Sequence, residues 1–289
     1  MLAGSAALLA AGAPFMKTWF YCFAWWSLLL ALDGWKARRT GGSFVFDAGR
    51  EFLFSAFLSV PVWLMFELFN LRLRNWSYHG LPPSLPERWA GYFLAFATVI
   101  PALKILAGLI RSFGVKTIRI RRGLTVSPEL LRICAASGLT CLALTLVWPK
   151  IFFPLVWLGF IFLVEPLNYG RRGPSLLRGL EEGDAALPVV WMLAGLAAGI
   201  LWELLNFWAG SHWEYHIPYL NFGRIFQMPV FGFGGFLPFA LEIFAIDALA
   251  AGIYARLKAR PAYRPAFWAA LAAFDGLVFH LIDIANKIK

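Results

Sequence analysis

A glutamate three residues ahead of an asparagine occurs twice in apolar surroundings, as Glu67 with Asn70 and as Glu203 with Asn206. Each pair is followed by Trp-x-Tyr-His, which places Trp76, Tyr78 and His79 after the first and Trp213, Tyr215 and His216 after the second. Such a set suits acid-base chemistry on a largely apolar molecule. A protonated glutamic acid can give its proton to an alkene, an ether or a carbonyl, and an imidazole supplies a second acid-base group. Glu203, His216, Asp283 and His280 are therefore the candidate catalytic residues. Candidate ligand-binding residues are Asn206, Trp213, Tyr215, Glu242, Asp275, Glu67, Asn70, Trp76, Tyr78 and His79.

Each of these has a plain structural alternative. Glu67 has Arg72 and Arg74 close by as pairing partners, whereas the nearest base after Glu203 is Arg224, so Glu203 is the stronger candidate. The asparagines can bond across helices as packing contacts, and the tryptophans and tyrosines sit where an interfacial aromatic belt would place them. A belt does not require the fixed Trp-x-Tyr-His order, which instead predicts that each loop folds back over its helix end. His212 and His216 have the H-x-x-x-H spacing that shares a face of a helix and suits a metal. The ligand set is incomplete, Asn75 replaces His212 in the first copy and Pro218 limits a helix, so no metal is assigned and no cofactor is identified. Gly232 to Gly235 is not a nucleotide fingerprint, because no strand precedes it, and helix packing is its expected use.

The elements that carry these residues are set by composition. The chain of 289 residues is 60% apolar and only 15% charged, against roughly 25% charged for soluble domains. Apolar stretches long enough to cross a hydrocarbon core of about 30 Å run over residues 18–34, 52–71, 89–110, 129–147, 151–168, 186–207, 229–255 and 266–285. They are continuously apolar rather than alternating, so the fold class is all-α, a polytopic helical membrane protein of eight spans. Pro61, Pro101 and Pro238 are positioned to kink their helices. Residues 1–17 form an extension, in which Leu2 to Ala13 is apolar but too short to span and lacks a basic leader; Met16 before Lys17 is an alternative start. Cys22, Cys134 and Cys141 fall within spans and are expected to be unpaired.

A net charge of +10 raises the question of nucleic acid, and position answers it. Sixteen Lys and Arg lie in loops 1-2, 3-4, 5-6 and 7-8, and five in the other three loops. That asymmetry is the positive-inside pattern and puts both termini outside a bacterial-type cytoplasmic membrane, with the bilayer and a hydrophobic small molecule as partners and no nucleic acid. The oligomeric state is not encoded in any feature of the chain.

The chain also reads as a duplication. Gly91 to Ile110 and Gly234 to Ile253 share ten identities over twenty ungapped positions, and upstream Asp33, Arg39, Gly41 and Ser43 align with Glu165, Arg171, Gly173 and Ser175. Two parallel four-helix repeats, residues 18–150 and 151–289, are expected about an axis along the membrane normal. Spans 4 and 8 match weakly. The alignment sets Lys104 opposite Asp247; opposite charges at equivalent places suit a contact near the axis, and the alternative is that Lys104, six residues from its helix end, snorkels to the cytoplasm.

The Trp213-x-Tyr215 loop, followed by Pro218 and then Glu242, faintly resembles membrane carotenoid-modifying enzymes over a short part of the chain. It lacks a paired-carboxylate motif, and no family follows from it. The functional reading is a membrane enzyme or binder for a lipid-like or isoprenoid-like molecule, with an aromatic-lined polar pocket opening toward the outer side. A small-molecule transporter or channel is the alternative, and a structural subunit of a membrane complex is the third.

Overall fold

The computed structural model describes residues 2–286. It is a helical bundle in which eight helical segments are long and apolar enough to cross a membrane. The extension forms α1 (Leu2–Ala10), and the first span, α2 (Pro14–Thr40), starts four residues earlier than the apolar run. Pro14 fits that place because a proline in the first turn gives up no helical hydrogen bond. Met16 is buried in the core. The second span, α3 (Gly49–Leu73), passes through Pro61 unbroken and ends on Arg74, whose N–H bonds Asn70 O. A short strand, β1 (Trp76–His79), follows.

The third span is broken into α4 (Leu85–Phe96) and α5 (Val99–Ser112). Pro101 cannot donate to the preceding turn, and the polar groups at the break find side-chain partners. Phe96 O accepts the Ser59 hydroxyl at 2.5 Å, Ile100 N donates to Ser59 Oγ, and Thr98 Oγ1 accepts the Trp25 indole N–H at 2.8 Å. α6 (Pro128–Val147) is the fourth span; α7 (Pro149–Phe152), a 3₁₀ turn and α8 (Val156–Gly170) make the fifth. After α9 (Leu176–Glu181) and α10 (Ala186–Trp208) come β2 (His212–Tyr215), β3 (Arg224–Ile225) and β4 (Met228–Pro229). A 3₁₀ segment over Val230–Gly235 leads into α11 (Phe236–Lys258), and α12 (Arg264–Ala285) is the last span.

Two acids near the ends of α2 and α8 do the same local work. Asp33 accepts Phe44 N at 2.8 Å, Val45 N at 3.1 Å and the Ser43 hydroxyl. Glu165 Oε2 accepts Ser175 Oγ and Leu176 N, both at 2.8 Å, and Leu177 N at 3.2 Å. Each gathers free donors of the segment that turns toward the next helix, where no backbone carbonyl is available.

The main core joins α2, α3, α5, α8, α10 and α11 around Trp25, Phe66, Leu103, Ile105, Phe239 and Ile243. Lys104 on α5 and Asp247 on α11 meet there at 3.0 Å, so of the two placements expected for Lys104 the contact is the one observed, with Ser55 Oγ 2.9 Å from the same ammonium. The fourth spans differ in placement: α6 lies against α8, whereas α12 lies against α3.

Gly138 and Gly159 let α6 approach α8. A Cβ on Gly138 would stand 2.6 Å from Leu163 N and 2.7 Å from Gly159 O, which is backbone that cannot swing away. Gly138→Val is therefore expected to cost about 1–3 kcal/mol through forced separation of the helices and to lower the thermal midpoint of the detergent-solubilised protein. Gly252 has nothing near its would-be Cβ, so Gly252→Ala is expected to leave the midpoint unchanged or raise it. Equal midpoints for wild type and Gly138→Val would contradict this packing.

Candidate functional site

Where each acidic helix ends, an asparagine ties down the chain that follows. Asn70 donates to Trp76 O at 2.8 Å and accepts Asn75 N at 2.9 Å, and Asn206 donates to Trp213 O at 2.8 Å and accepts Trp213 N at 2.9 Å. Both amides are used up on backbone, so they hold strands rather than a ligand. The tethered strands pair with one another. β1 and β2 are antiparallel, with Trp76 opposite Tyr215, Ser77 opposite Glu214, Tyr78 opposite Trp213 and His79 opposite His212. Because strand side chains alternate, one face of this ribbon carries only Trp and Tyr, and it faces the helix ends.

Each loop thus folds back onto its own glutamate. Glu67 Oε1 accepts the indoles of Trp63 at 2.9 Å and Trp76 at 3.0 Å and the phenol of Tyr78 at 2.5 Å. Arg72 does not pair with it; its Nε donates to Leu146 O. Glu203 Oε1 accepts Trp213 Nε1 at 3.1 Å and the Tyr215 hydroxyl at 2.9 Å. Burial pushes the Tyr78 and Tyr215 phenols well up from the ordinary tyrosine value, and the neighbouring carboxyl of Glu67 or Glu203 adds to this, so both remain donors.

The two carboxyls differ in what lies beside them. Four residues before Glu67 stands Trp63, which fills that side and donates; four before Glu203 stands Gly199, packed under the Phe236 ring. Glu203 Oε2 is buried and has no hydrogen-bond partner among the described residues. Glu203 also lines a cavity of about 240 Å³ beneath the ribbon, which Glu67 does not. The walls are aromatic: Trp19, Trp63, Trp76, Trp157, Trp202 and Trp213 contribute indoles, and Tyr21, Tyr78, Tyr92, Tyr215, Phe96, Phe153, Phe231 and Phe236 contribute the other rings. Trp157 stacks on Phe66 at 5.4 Å and on Trp76 at 6.3 Å, while Tyr21 meets Trp213 edge-on at 5.0 Å. These contacts hold the rings in place from several helices at once.

The other acids and histidines expected alongside Glu203 lie elsewhere. Asp283 is bound by Arg88 through Nε at 2.8 Å and Nη2 at 2.9 Å, and also by Trp89 at 3.0 Å and Tyr92 at 3.0 Å. Its partners are on α4, so it ties α12 to α4. Arg88 lines the cavity with its charge already matched. Glu242 is fully buried against α8, where Oε1 accepts Phe160 N at 2.9 Å and Oε2 has no partner among the described residues. His280 is exposed on α12, and Asp275 is half-buried on the same helix; neither lines the cavity. His79 and His216 project from the face of the ribbon that points away from the rings, each bonded through Nε2 to Ser77 Oγ. The segment of His212 and His216 is a strand rather than a helix, so H-x-x-x-H does not bring these two imidazoles together.

Sequence reading missed Tyr21, Trp63, Trp157 and Trp202 as cavity residues. Large apolar rings inside spans look alike whether they face lipid, core or cavity, and only the Trp-x-Tyr loops carried a distinguishing order. Comparison with protein families, with curated proteins and with solved structures finds no match to this chain.

Proposed function

We propose that the protein holds a hydrophobic, lipid-like or isoprenoid-like molecule in the aromatic cavity and acts on it by acid-base chemistry at Glu203. The observation that carries this reading is a buried glutamate that lines a largely apolar, aromatic cavity and has one carboxyl oxygen without a partner among the described residues. Leaving a carboxyl oxygen unpaired in a buried site is costly, and a ligand hydroxyl, carbonyl or alkene carbon brought to Oε2 gives it a partner. Trp213 and Tyr215 fix the opposite oxygen, so the free one keeps its aim. Extraction of the purified protein into organic solvent and mass spectrometry test the reading. A single class of hydrophobic molecule at near one per chain is expected, and recovery only of bulk membrane lipid in bilayer proportions would reject it.

The ribbon and cavity are proposed to face the outer side, with the basic loops 1-2, 3-4, 5-6 and 7-8 in the cytoplasm and both termini outside. In a background with Cys22, Cys134 and Cys141 replaced, an impermeant thiol reagent added to intact cells should label Ser211→Cys and not Arg121→Cys. The reverse labelling would invert the topology.

Descent from a duplicated four-helix unit is part of the same proposal. It is supported by the matched work of Asp33 and Glu165, of Asn70 and Asn206, and of the two Trp-x-Tyr pairs on their glutamates. The ribbon register has the symmetry of a dyad through Ser77 and Glu214, since Trp76 meets Tyr215 as Trp213 meets Tyr78. Divergence then removed one indole at Gly199 and left Glu203 open, so a single asymmetric pocket lies on a two-fold scaffold.

A further inference from the structure

The ribbon has a second face. With Trp76, Tyr78, Trp213 and Tyr215 turned toward the cavity, Ser77, His79, His212 and Glu214 point the other way. His216 continues that face, because its N–H bonds Asn75 O at 2.7 Å and extends the ladder by one residue. Three of the four histidines of the chain therefore meet on one small surface, at the edge of which His212 also borders the cavity, while His79 and His216 do not.

Their donor atoms converge. His79 Nε2 and His216 Nε2 lie 2.9 and 3.0 Å from the same Ser77 hydroxyl, so the two imidazoles aim the same ring nitrogen at one point. Glu214 Oε2 is 3.9 Å from His79 Nε2, and one donor atom from each of His79, Glu214 and His216 lies within 4.8 Å of the others. The other carboxyl oxygen, Oε1, is 3.3 Å from His212 Nε2, which fixes the rotation of the carboxylate from behind. His79 and His212 stack at 5.8 Å, which limits how His79 can turn.

We infer that His79, Glu214 and His216 form a binding site for a zinc-class divalent ion on the outward face of the β1–β2 ribbon. Two imidazole nitrogens and one carboxylate oxygen are a donor set that suits such an ion, with bonds of about 2.0–2.2 Å and a water in the fourth position. The His79 and Glu214 side chains are 46% and 37% exposed, which leaves solvent-side room for the small inward adjustment that ligation requires. His212 is the supporting partner that orients the carboxylate. The ion joins a ligand on β1 to one on β2 and one just past its end, so it clamps the strands that roof the cavity. The site stands apart from the proposed chemistry at Glu203 and does not depend on it.

The test uses the full chain without an affinity tag, purified in detergent, stripped with a chelator and titrated with Co²⁺ and then Zn²⁺. One Co²⁺ per chain with a visible absorption band, displacement of that band by Zn²⁺ and a Zn²⁺-dependent rise in thermal midpoint are expected. His79→Ala, His216→Ala and Glu214→Gln should each weaken binding about 10-fold or more and abolish the thermal rise. His280→Ala should change neither. Unfolding of these exposed variants is monitored by tryptophan fluorescence, and His216→Gln, which can still bond Ser77, serves as the conservative partner. A folded wild type without a saturable Co²⁺ band, or His79→Ala and His216→Gln proteins that bind as wild type, would overturn the site.

Discussion

Glu203→Gln is expected to leave the fold intact while releasing the molecule held in the cavity. The amide oxygen can still accept from Trp213 and Tyr215, which preserves the local bonds at Oε1. The replaced oxygen is the one without a partner, and an amide there has no exchangeable acid proton to give. A buried hydrogen bond lost or left mismatched costs about 1–3 kcal/mol, which is roughly a 5- to 100-fold weaker hold. Mass spectrometry of organic extracts from matched amounts of protein reads this directly. Glu67→Gln should act differently, because Glu67 Oε1 already accepts three donors from Trp63, Trp76 and Tyr78 and does not line the cavity. Its expected effect is a lower thermal midpoint with ligand retention little changed. Equal loss of ligand in both variants would show that the carboxyls serve the ribbon rather than the cavity.

The largest stability effect is expected from the Arg88 and Asp283 pair. Both side chains are buried, at 5% and 7% exposure, and the guanidinium makes two parallel bonds to the carboxylate. Arg88 Nη1 also donates to Pro82 O at 2.8 Å and Pro83 O at 3.0 Å, so one side chain joins α4, α12 and the chain leading away from the ribbon. Asp283→Ala would leave a buried guanidinium without its counter-charge, a defect that costs about 3–5 kcal/mol. A large fall in thermal midpoint is the expected result. The double change Arg88→Met with Asp283→Leu should recover most of that fall, because it removes both charges together. Failure of the double change to recover stability would mean that the carbonyl contacts of Arg88, rather than the ion pair, carry the junction.

The number and placement of the spans were legible because membrane-spanning helices are continuously apolar and long, and both features survive in a single sequence. The break at Ala97 and Thr98 was not, since Pro101 alone does not locate it and the partners that stabilise it, Ser59 and Trp25, come from other helices. Repetition of Glu-Leu-x-Asn and Trp-x-Tyr-His pointed correctly to loops that fold back over helix ends. It did not reveal that the two loops pair as strands, because residues so far apart in sequence leave no local signal of register. Asp283 was grouped with Glu203 because both fall in the same half of the chain. Its partner Arg88 stands one residue ahead of the apolar run 89–110 and so reads as a loop charge, although it sits buried in the first turn of α4. The H-x-x-x-H spacing was weighed as a helical feature, whereas the ribbon sets His216 beside His79 across the strands.

The central claim is that Glu203 faces a molecule in the aromatic cavity, and a high-resolution map of protein purified from its own membrane tests it most directly. The account predicts continuous non-protein density between the rings of Trp76, Trp157 and Trp202, with one end within hydrogen-bond distance of Glu203 Oε2. A map in which side chains have collapsed to fill that space, or in which Glu203 Oε2 is bonded to a protein group, would contradict it.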